Sequence, residues 1–148
     1  MVDHMPNATF DPGARDAITR LLTEFSARVD EGRAATVHEL FVEDATIETP
    51  QFVLRSRDAI RERFTARARD TSRRTRHYWS NARFSGGPTE VTVITNVMTV
   101  IASAGVPTIL TGGTSTDVVV HDGAGWAFRS RRLDVAFEGT LGPVAPGP

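Results

Sequence analysis

The sequence predicts a single α+β domain, with its helices in the first half and a curved, mostly antiparallel sheet in the second. Apolar residues recur at helical spacing from Ile18 to Val29 and form one apolar helix face. The second half is rich in Val, Ile and Thr, in long runs separated by glycine-containing turns, which is typical of strands. The length of 148 residues suits one domain with its own hydrophobic core. We assign this domain to residues 11–138, between a flexible leader (1–10) and an irregular Gly/Pro-rich tail (139–148).

The first half contains signals for three helices and two short strands. Asp11 is a suitable N-cap, Pro12 suits the first helical position, and Gly32 is placed to end the first helix. The elements that follow are predicted as a short helix carrying Val37, Leu40 and Phe41, strands at 45–49 and 52–55, and a third helix capped by Ser56 with Ile60, Phe64 and Ala68 on its apolar face.

The second half is predicted to form four long strands, at 76–84, 90–103, 108–121 and 126–137. The apolar residues of the last strand change parity between Phe128 and Leu133. Either both faces of this strand are buried, or a bulge near residues 129–132 shifts the phase and bends the sheet. A bent sheet with a long helix across its concave side would enclose a pocket.

Composition limits the classes of function. The absence of cysteine excludes disulfides, thiolate nucleophiles and Cys-ligated metal sites. All 17 basic residues are Arg, which excludes a lysine base or Schiff base. No phosphate-binding glycine loop, GxSxG motif or HExxH motif occurs, and we expect no cofactor and no metal. No apolar run approaches the ~20 residues that span a bilayer, and the N-terminus lacks a signal-peptide pattern, so we expect a cytoplasmic protein that does not bind membranes.

His77 is the histidine that is best placed for chemistry. Alternation along the first long strand puts His77, Trp79 and Asn81 on one face, which suits a polar-lined pocket, although a packed structural histidine is the alternative. Asp30 closes the first helix, where it is either a solvated acid or a partner of His77. If the two meet, the carboxylate would hold one ring nitrogen as N–H and leave the other as a proton acceptor.

Polar residues in the later strands are further candidates. Either Arg131 or Arg132 would hold an anion or a developing oxyanion if it pointed inward, and a surface position is the alternative for each. Asn96 lies mid-strand, where Asn is disfavoured, so a pocket role is plausible.

An arginine-rich segment runs from Arg55 to Arg76. It is either a solvated face or a surface for an anionic partner such as a nucleic acid. Its arginines are interspersed with acids, and the aromatic residues of a nucleic-acid platform are missing. We therefore predict a solvated face and no nucleic-acid partner.

The order of these elements and four segments resemble the nuclear transport factor 2-like superfamily, and within it the SnoaL-like group. The segments lie between Ala14 and Phe137 and read LLTEFSARVDEGRAATVHELFVEDATIETP, SRDAIRERF, TRHYWSN and DGAGWAFRSRRL. The resemblance implies a cone-shaped α+β barrel, with three N-terminal helices packed on a strongly curved sheet that encloses a pocket. It also implies a homodimer or a homotrimer.

One branch of this group, the scytalone dehydratases and hexachlorocyclohexane dehydrochlorinases, uses an Asp at the end of the first helix and a His in the first long strand as a dyad. Asp30 in RVDEGR and His77 in TRHYWSN match these positions. Arg131, five residues after Trp126, matches an active-site Arg of the dehydrochlorinase. The chain departs from the branch at Phe25, where the dehydrochlorinase has Lys, and it lacks the tyrosines that hold water in the dehydratase.

The sequence therefore predicts a cofactor-independent lyase or isomerase that acts on a hydrophobic small molecule. Asp30 would orient His77, which would remove a proton, while Arg131, Asn81 or Asn96 would stabilise the oxygen or the leaving group. The other residues predicted to line the pocket are Phe41, Phe52, Leu54, Phe64, Trp79 and Met98. The alternative is a non-catalytic small-ligand-binding or subunit-association module of the same fold.

Overall fold

A computed structural model describes residues 11–142, and the predicted leader and residues 143–148 of the predicted tail lie outside this part of the chain. The elements in chain order are α1 (Pro12–Asp30), a 3-10 helix (Ala34–Leu40), β1 (Phe41–Glu48), β2 (Val53–Arg55), α2 (Arg57–Arg69), β3 (Arg73–Gly86), β4 (Glu90–Ser103), β5 (Val106–His121) and β6 (Trp126–Thr140). The last strand thus extends two residues into the predicted tail. Among the described residues, no helix is long and apolar enough to cross a membrane.

The six strands form one mixed sheet in the order β2-β1-β6-β5-β4-β3. Neighbouring strands are antiparallel, except that β1 and β6 run parallel. The predicted barrel is corrected, because the sheet is not closed: β2 and β3 are free edges without a ladder between them. The helices do not form one N-terminal block, since β1 and β2 lie between the 3-10 helix and α2, where the sequence predicts two short strands.

Helix α1 has the predicted start and end. The Asp11 carboxylate accepts a hydrogen bond from the Ala14 backbone N–H at 2.9 Å, and Pro12 occupies the first turn. The helix ends at Asp30, and Gly32 follows with a φ of 82°, a conformation that favours glycine. The buried face consists of Ile18, Leu21, Leu22 and Val29, which pack against the inner face of the sheet, the face covered by the helices.

The parity change in the last strand is a bulge. The register of β5 with β6 shifts between Val118, which pairs with Ser130, and Val119, which pairs with Phe128. Arg129 is therefore the extra residue on β6. Because of this shift, Phe128 and Arg131 both lie on the inner face, although their sequence parity differs.

Phenylalanine rings fill the core between the helices and the inner face. Phe25 makes edge-to-face contacts with Phe41, Phe64 and Phe128 at centroid distances of 6.1, 5.8 and 6.1 Å. Phe41 is 1% exposed and Phe64 is 8% exposed. The prediction that these two residues line a ligand pocket is wrong, because their surface is used in packing. The sequence pattern placed Phe41 in the short second helix, but in the structure Phe41 begins β1.

Asn96 and Met98 lie on the outer face of the sheet, opposite the helices, and do not line a pocket. Thr95 is buried on the inner face. Because side chains alternate along a strand, the even-numbered residues Asn96 and Met98 point to the outer face. Met98 is 41% exposed and pairs across the sheet with Tyr78, which is 54% exposed. The sequence pattern of β4 is apolar on both faces, so it did not indicate which face the helices cover.

Candidate active site

The carboxylate of Asp30 joins the end of α1 to the edge strand β3. Its Oδ1 atom lies 2.6 Å from His77 Nδ1 and accepts a second hydrogen bond from the Thr75 hydroxyl at 2.8 Å. Its Oδ2 atom accepts the backbone N–H of His77 at 2.8 Å. Because an ionised carboxylate can only accept hydrogen bonds, Nδ1 of His77 donates, and Nε2 of the neutral ring is left as an acceptor.

The environment keeps Asp30 ionised. Its side chain is 9% exposed, whereas that of His77 is 29% exposed. Burial alone raises the pKa of Asp30, but the hydrogen bond and charge of the His77 ring, the His77 backbone N–H and the Thr75 hydroxyl outweigh it and hold the pKa below its usual value. These donors also offset the repulsion that a carboxylate meets at a helix C-terminus.

A groove of about 400 Å³ lies beside the Asp30–His77 pair, between α1 and the free edge of β3. The sequence predicted an enclosed pocket, whereas this groove is open to solvent along one side. Four consecutive residues of β3 border it, because an edge strand can be reached from either side. The lining residues are Thr23, Ser26, Ala27, Asp30, Glu31, Arg76, His77, Tyr78 and Trp79.

Three of the predicted site residues, Asp30, His77 and Trp79, come together in this groove. Asn81 does not join them. It lies where the register of β3 with β4 shifts, has a φ of 54° and is exposed. The bulge breaks the alternation that placed Asn81 on the same face as His77, so the prediction that Asn81 lines the pocket is wrong.

Phe52 and Leu54 lie in or beside β2, at the opposite edge of the sheet from β3, and neither borders the groove. Both are half-buried. The Arg63 guanidinium stacks on the Phe52 ring at 4.3 Å from its centroid. The predicted pocket-lining role of these two residues assumed a closed barrel.

Sequence reasoning missed several groove residues. Thr23, Ser26 and Asp30 recur at helical spacing and share one face of α1, a signal that could have revealed the first two. Thr75 precedes His77 by two residues and therefore points to the same side of β3. Within residues 11–142, no group of three His, Asp or Glu side chains is arranged to hold a metal ion.

Arg131 faces inward and forms a two-point ion pair with Asp117. The Nε–Oδ1 distance is 2.8 Å and the Nη2–Oδ2 distance is 3.1 Å. Asp117 is fully buried and also accepts the Ser115 hydroxyl at 3.0 Å. The guanidinium stacks on the rings of Phe25 and Phe128, at 4.0 and 4.5 Å. Arg131 does not line the groove. Its Nη1 atom is the only side-chain nitrogen or oxygen in the described residues that is buried without a hydrogen-bond partner.

Arg132, the other arginine considered, is exposed and pairs with Asp134 at 3.1 Å. Of the two arginines, Arg131 is therefore the one that points inward. Asp117 was missed, although an Asp inside a run of Thr and Val is unusual for a strand and was the available signal.

We expect Asp117→Ala to lower the free energy of unfolding by about 3–5 kcal/mol, because it leaves the buried Arg131 charge unpaired. Asp134→Ala is the matched control, since the Arg132–Asp134 pair is exposed and should contribute less than about 1 kcal/mol. Urea denaturation of the two variants checks this. Equal losses in both would contradict the assignment of Asp117 as the main electrostatic contact of the inner face.

We expect the stability of the protein to fall in acid partly because of Asp30. Its folded-state pKa is depressed, so its contribution is fully present above the unfolded-state pKa, about 3.9, and is lost as the pH falls through the lower folded-state value. Asp30→Asn should be less stable than the wild type at neutral pH, and the gap should narrow on acidification. Unfolding free energies measured from neutral pH down to about pH 3 test this, and parallel curves for the two proteins would contradict it.

Comparison with known proteins confirms the resemblance seen in the sequence. The SnoaL-like domain family matches residues 13–132. Two similar solved structures are a candidate scytalone dehydratase from Novosphingobium aromaticivorans (26% identity, 90% of this chain and 91% of that one, TM-score 0.77) and a hexachlorocyclohexane dehydrochlorinase (16% identity, 92% and 94%, TM-score 0.78). A protein of unknown function with a cystatin-like fold from Nostoc punctiforme is also similar (20% identity, 82% and 90%, TM-score 0.69). Among proteins with curated functions, a sequence search gives no match. With most of its length matched by the family, the chain belongs to the SnoaL-like domain family, within the nuclear transport factor 2-like fold.

Proposed function

We propose that the protein is a cofactor-independent lyase or isomerase that removes a proton from a hydrophobic small molecule, with Asp30 and His77 as its catalytic dyad. The observation that supports this most directly is the 2.6 Å contact between Asp30 Oδ1 and His77 Nδ1 at the side of an open groove. A base in this arrangement needs no further group to set its tautomer.

The chemistry follows from the two ring nitrogens. Asp30 accepts the Nδ1 proton, so Nε2 presents its lone pair and takes a proton from a C–H bond of the substrate. The imidazolium that forms is stabilised by the adjacent carboxylate. The electron pair of the broken C–H bond then forms a double bond. A group on the neighbouring carbon leaves with its own bonding pair in a lyase, whereas the imidazolium returns the proton to another carbon in an isomerase.

Negative charge that develops on a substrate oxygen needs a hydrogen-bond donor in the groove. The hydroxyls of Thr23 and Ser26 lie on the groove face of α1, on the same side as Asp30, and are available for this role. Arg131 was one of three predicted donors, with Asn81 and Asn96, but Asp117 already takes two of its N–H groups and balances its charge. We therefore assign Arg131 to the inner-face ion pair and the donor role to the two hydroxyls.

Elimination is favoured over isomerisation by the names of two similar structures, a candidate scytalone dehydratase and a dehydrochlorinase. Both names denote reactions that expel a small molecule and leave a double bond. We accordingly propose that this protein is a lyase first and an isomerase second.

The test is turnover of a panel of aromatic β-hydroxy and β-chloro ketones, followed by NMR. We expect His77→Gln to lower kcat/KM by about 10²- to 10⁴-fold, the usual contribution of a positioned general base. His38→Gln is the matched control, because the His38 ring contacts the Ala35 carbonyl at 2.9 Å, away from the groove. Its turnover should stay close to that of the wild type.

Turnover that is equal in His77→Gln and in the wild type would refute the dyad. Binding of the panel without turnover in either protein would instead support the alternative, a non-catalytic small-ligand-binding module of the same fold.

A further inference from the structure

Arg76 lies between Thr75 and His77 and borders the same groove as the dyad. Its Nη1 atom donates to the backbone carbonyl of Asp30 at 3.2 Å and to that of Thr75 at 3.0 Å. These two contacts fix one corner of the guanidinium against the end of α1. No ion pair involves Arg76 in the part of the chain that the structure describes, so its Nε–H and Nη2–H edge is uncommitted.

The uncommitted edge has the geometry that a carboxylate prefers. Nε–H and Nη2–H point in the same direction and can bind two oxygens of one anionic group. The protein uses this edge in its own interior, where Nε and Nη2 of Arg131 bind the two oxygens of Asp117. Arg76, which is exposed and borders the groove, has the same edge uncommitted.

Neither acid of the groove forms an ion pair with Arg76. The Asp30 carboxylate accepts hydrogen bonds from His77 and Thr75. Glu31, the other acid of the groove, pairs with Arg33 at 3.3 Å. An anionic group that enters beside Arg76 can therefore take both N–H groups of the uncommitted edge in a charge-assisted contact, whereas a neutral group lacks the charge interaction.

The rest of the groove suits an apolar, flat molecule. Trp79 and Tyr78 contribute aromatic surface from β3, and Ala27 leaves room on the facing side of α1. A ligand that uses both features has an aromatic or similarly apolar body beside Trp79 and an anionic oxygen group beside Arg76.

We propose that Arg76 makes this groove selective for organic anions, so that the substrate of the dyad is an apolar molecule carrying a carboxylate or a comparable anionic oxygen group. The proposal rests on the proposed function in naming a substrate, but the binding selectivity stands on the groove alone. Arg76 acts as a specificity residue and takes no part in proton transfer.

The experiment compares two probes with the same ring, 2-naphthoate and its neutral methyl ester, at low ionic strength. Binding is followed through the ¹⁵N-labelled indole N–H signals, because Trp79 borders the groove and Trp126 lies at the opposite end of α1 and reports non-specific binding. In the wild type we expect 2-naphthoate to bind about threefold to fivefold more tightly than the ester, the range expected for an accessible ion pair, with the Trp79 signal shifted and the Trp126 signal unchanged.

Arg76→Gln should remove this preference, so that both probes bind equally. Arg74→Gln is the matched control. Arg74 lies on the same strand and the same side as Arg76, is exposed and does not border the groove. Its removal changes the net charge equally but should leave the preference intact. A high salt concentration should reduce the preference in the wild type.

An unchanged preference in Arg76→Gln, an equal loss in both variants, or the absence of any Trp79 shift with either probe would overturn the proposal. Its failure is distinguishable from failure of the dyad, because this binding ratio does not depend on turnover. A loss of preference in Arg76→Gln together with normal turnover in His77→Gln would keep the anion selectivity and refute the catalytic role of His77.

Discussion

The hydrogen bonds of the Asp30 carboxylate hold the end of α1 to the free edge of β3. An edge strand exposes backbone groups that have no partner in the sheet. Here the His77 backbone N–H, which points away from β4, is bound by Asp30, and so are the Thr75 hydroxyl and the His77 ring. The groove lies beside this contact, which joins the helix to the strand. The same contact selects the tautomer of His77, so the geometry of the edge and the chemistry of the proposed site depend on one carboxylate.

The protein contains a second, more deeply buried carboxylate with a different role. Asp117 is balanced by a permanent cation, Arg131, in a two-point pair enclosed by aromatic rings. Asp30 is hydrogen-bonded to a histidine ring, the side-chain type that most readily exchanges a proton near neutral pH. Arginine stays protonated, so the Asp117–Arg131 pair offers no comparable exchange. The ion pair of the inner face is thus structural, and the proposed proton-transfer site lies at the edge of the sheet.

The predictable part of the fold follows from local signals. The cap at Asp11, the end of α1 and the long strands of the second half all appear where periodicity and turn residues indicate them. The parity change in the last strand left two alternatives, and the structure has the second of them, a bulge, at Arg129. Closure of the sheet was not predictable in this way, because it depends on whether β2 is long enough to meet β3.

Site residues were predictable only where their position did not depend on register. Asp30 ends a helix and His77 lies early in a strand, so a family resemblance was enough to bring them together. Asn81 was misplaced by a bulge within β3, and Met98 by a strand that is apolar on both faces. Thr75 acts through a contact with Asp30, which lies in an element far from it in the sequence, and no local pattern predicts that contact. Asp117 pairs with Arg131 on the next strand, and its place within a run of Thr and Val was a signal that was available.

The proposed dyad requires a His77 ring that is protonated at Nδ1 and unprotonated at Nε2, and ¹⁵N NMR of a histidine-labelled sample measures this at neutral pH. We expect the Nδ1 atom of His77 to carry the proton, in a hydrogen bond that shifts its resonance and disappears in Asp30→Ala, while Nε2 shows the chemical shift of an unprotonated nitrogen. A ring that is protonated at Nε2, or an Nδ1 signal that is the same in Asp30→Ala, would contradict the assignment of Nε2 as the base.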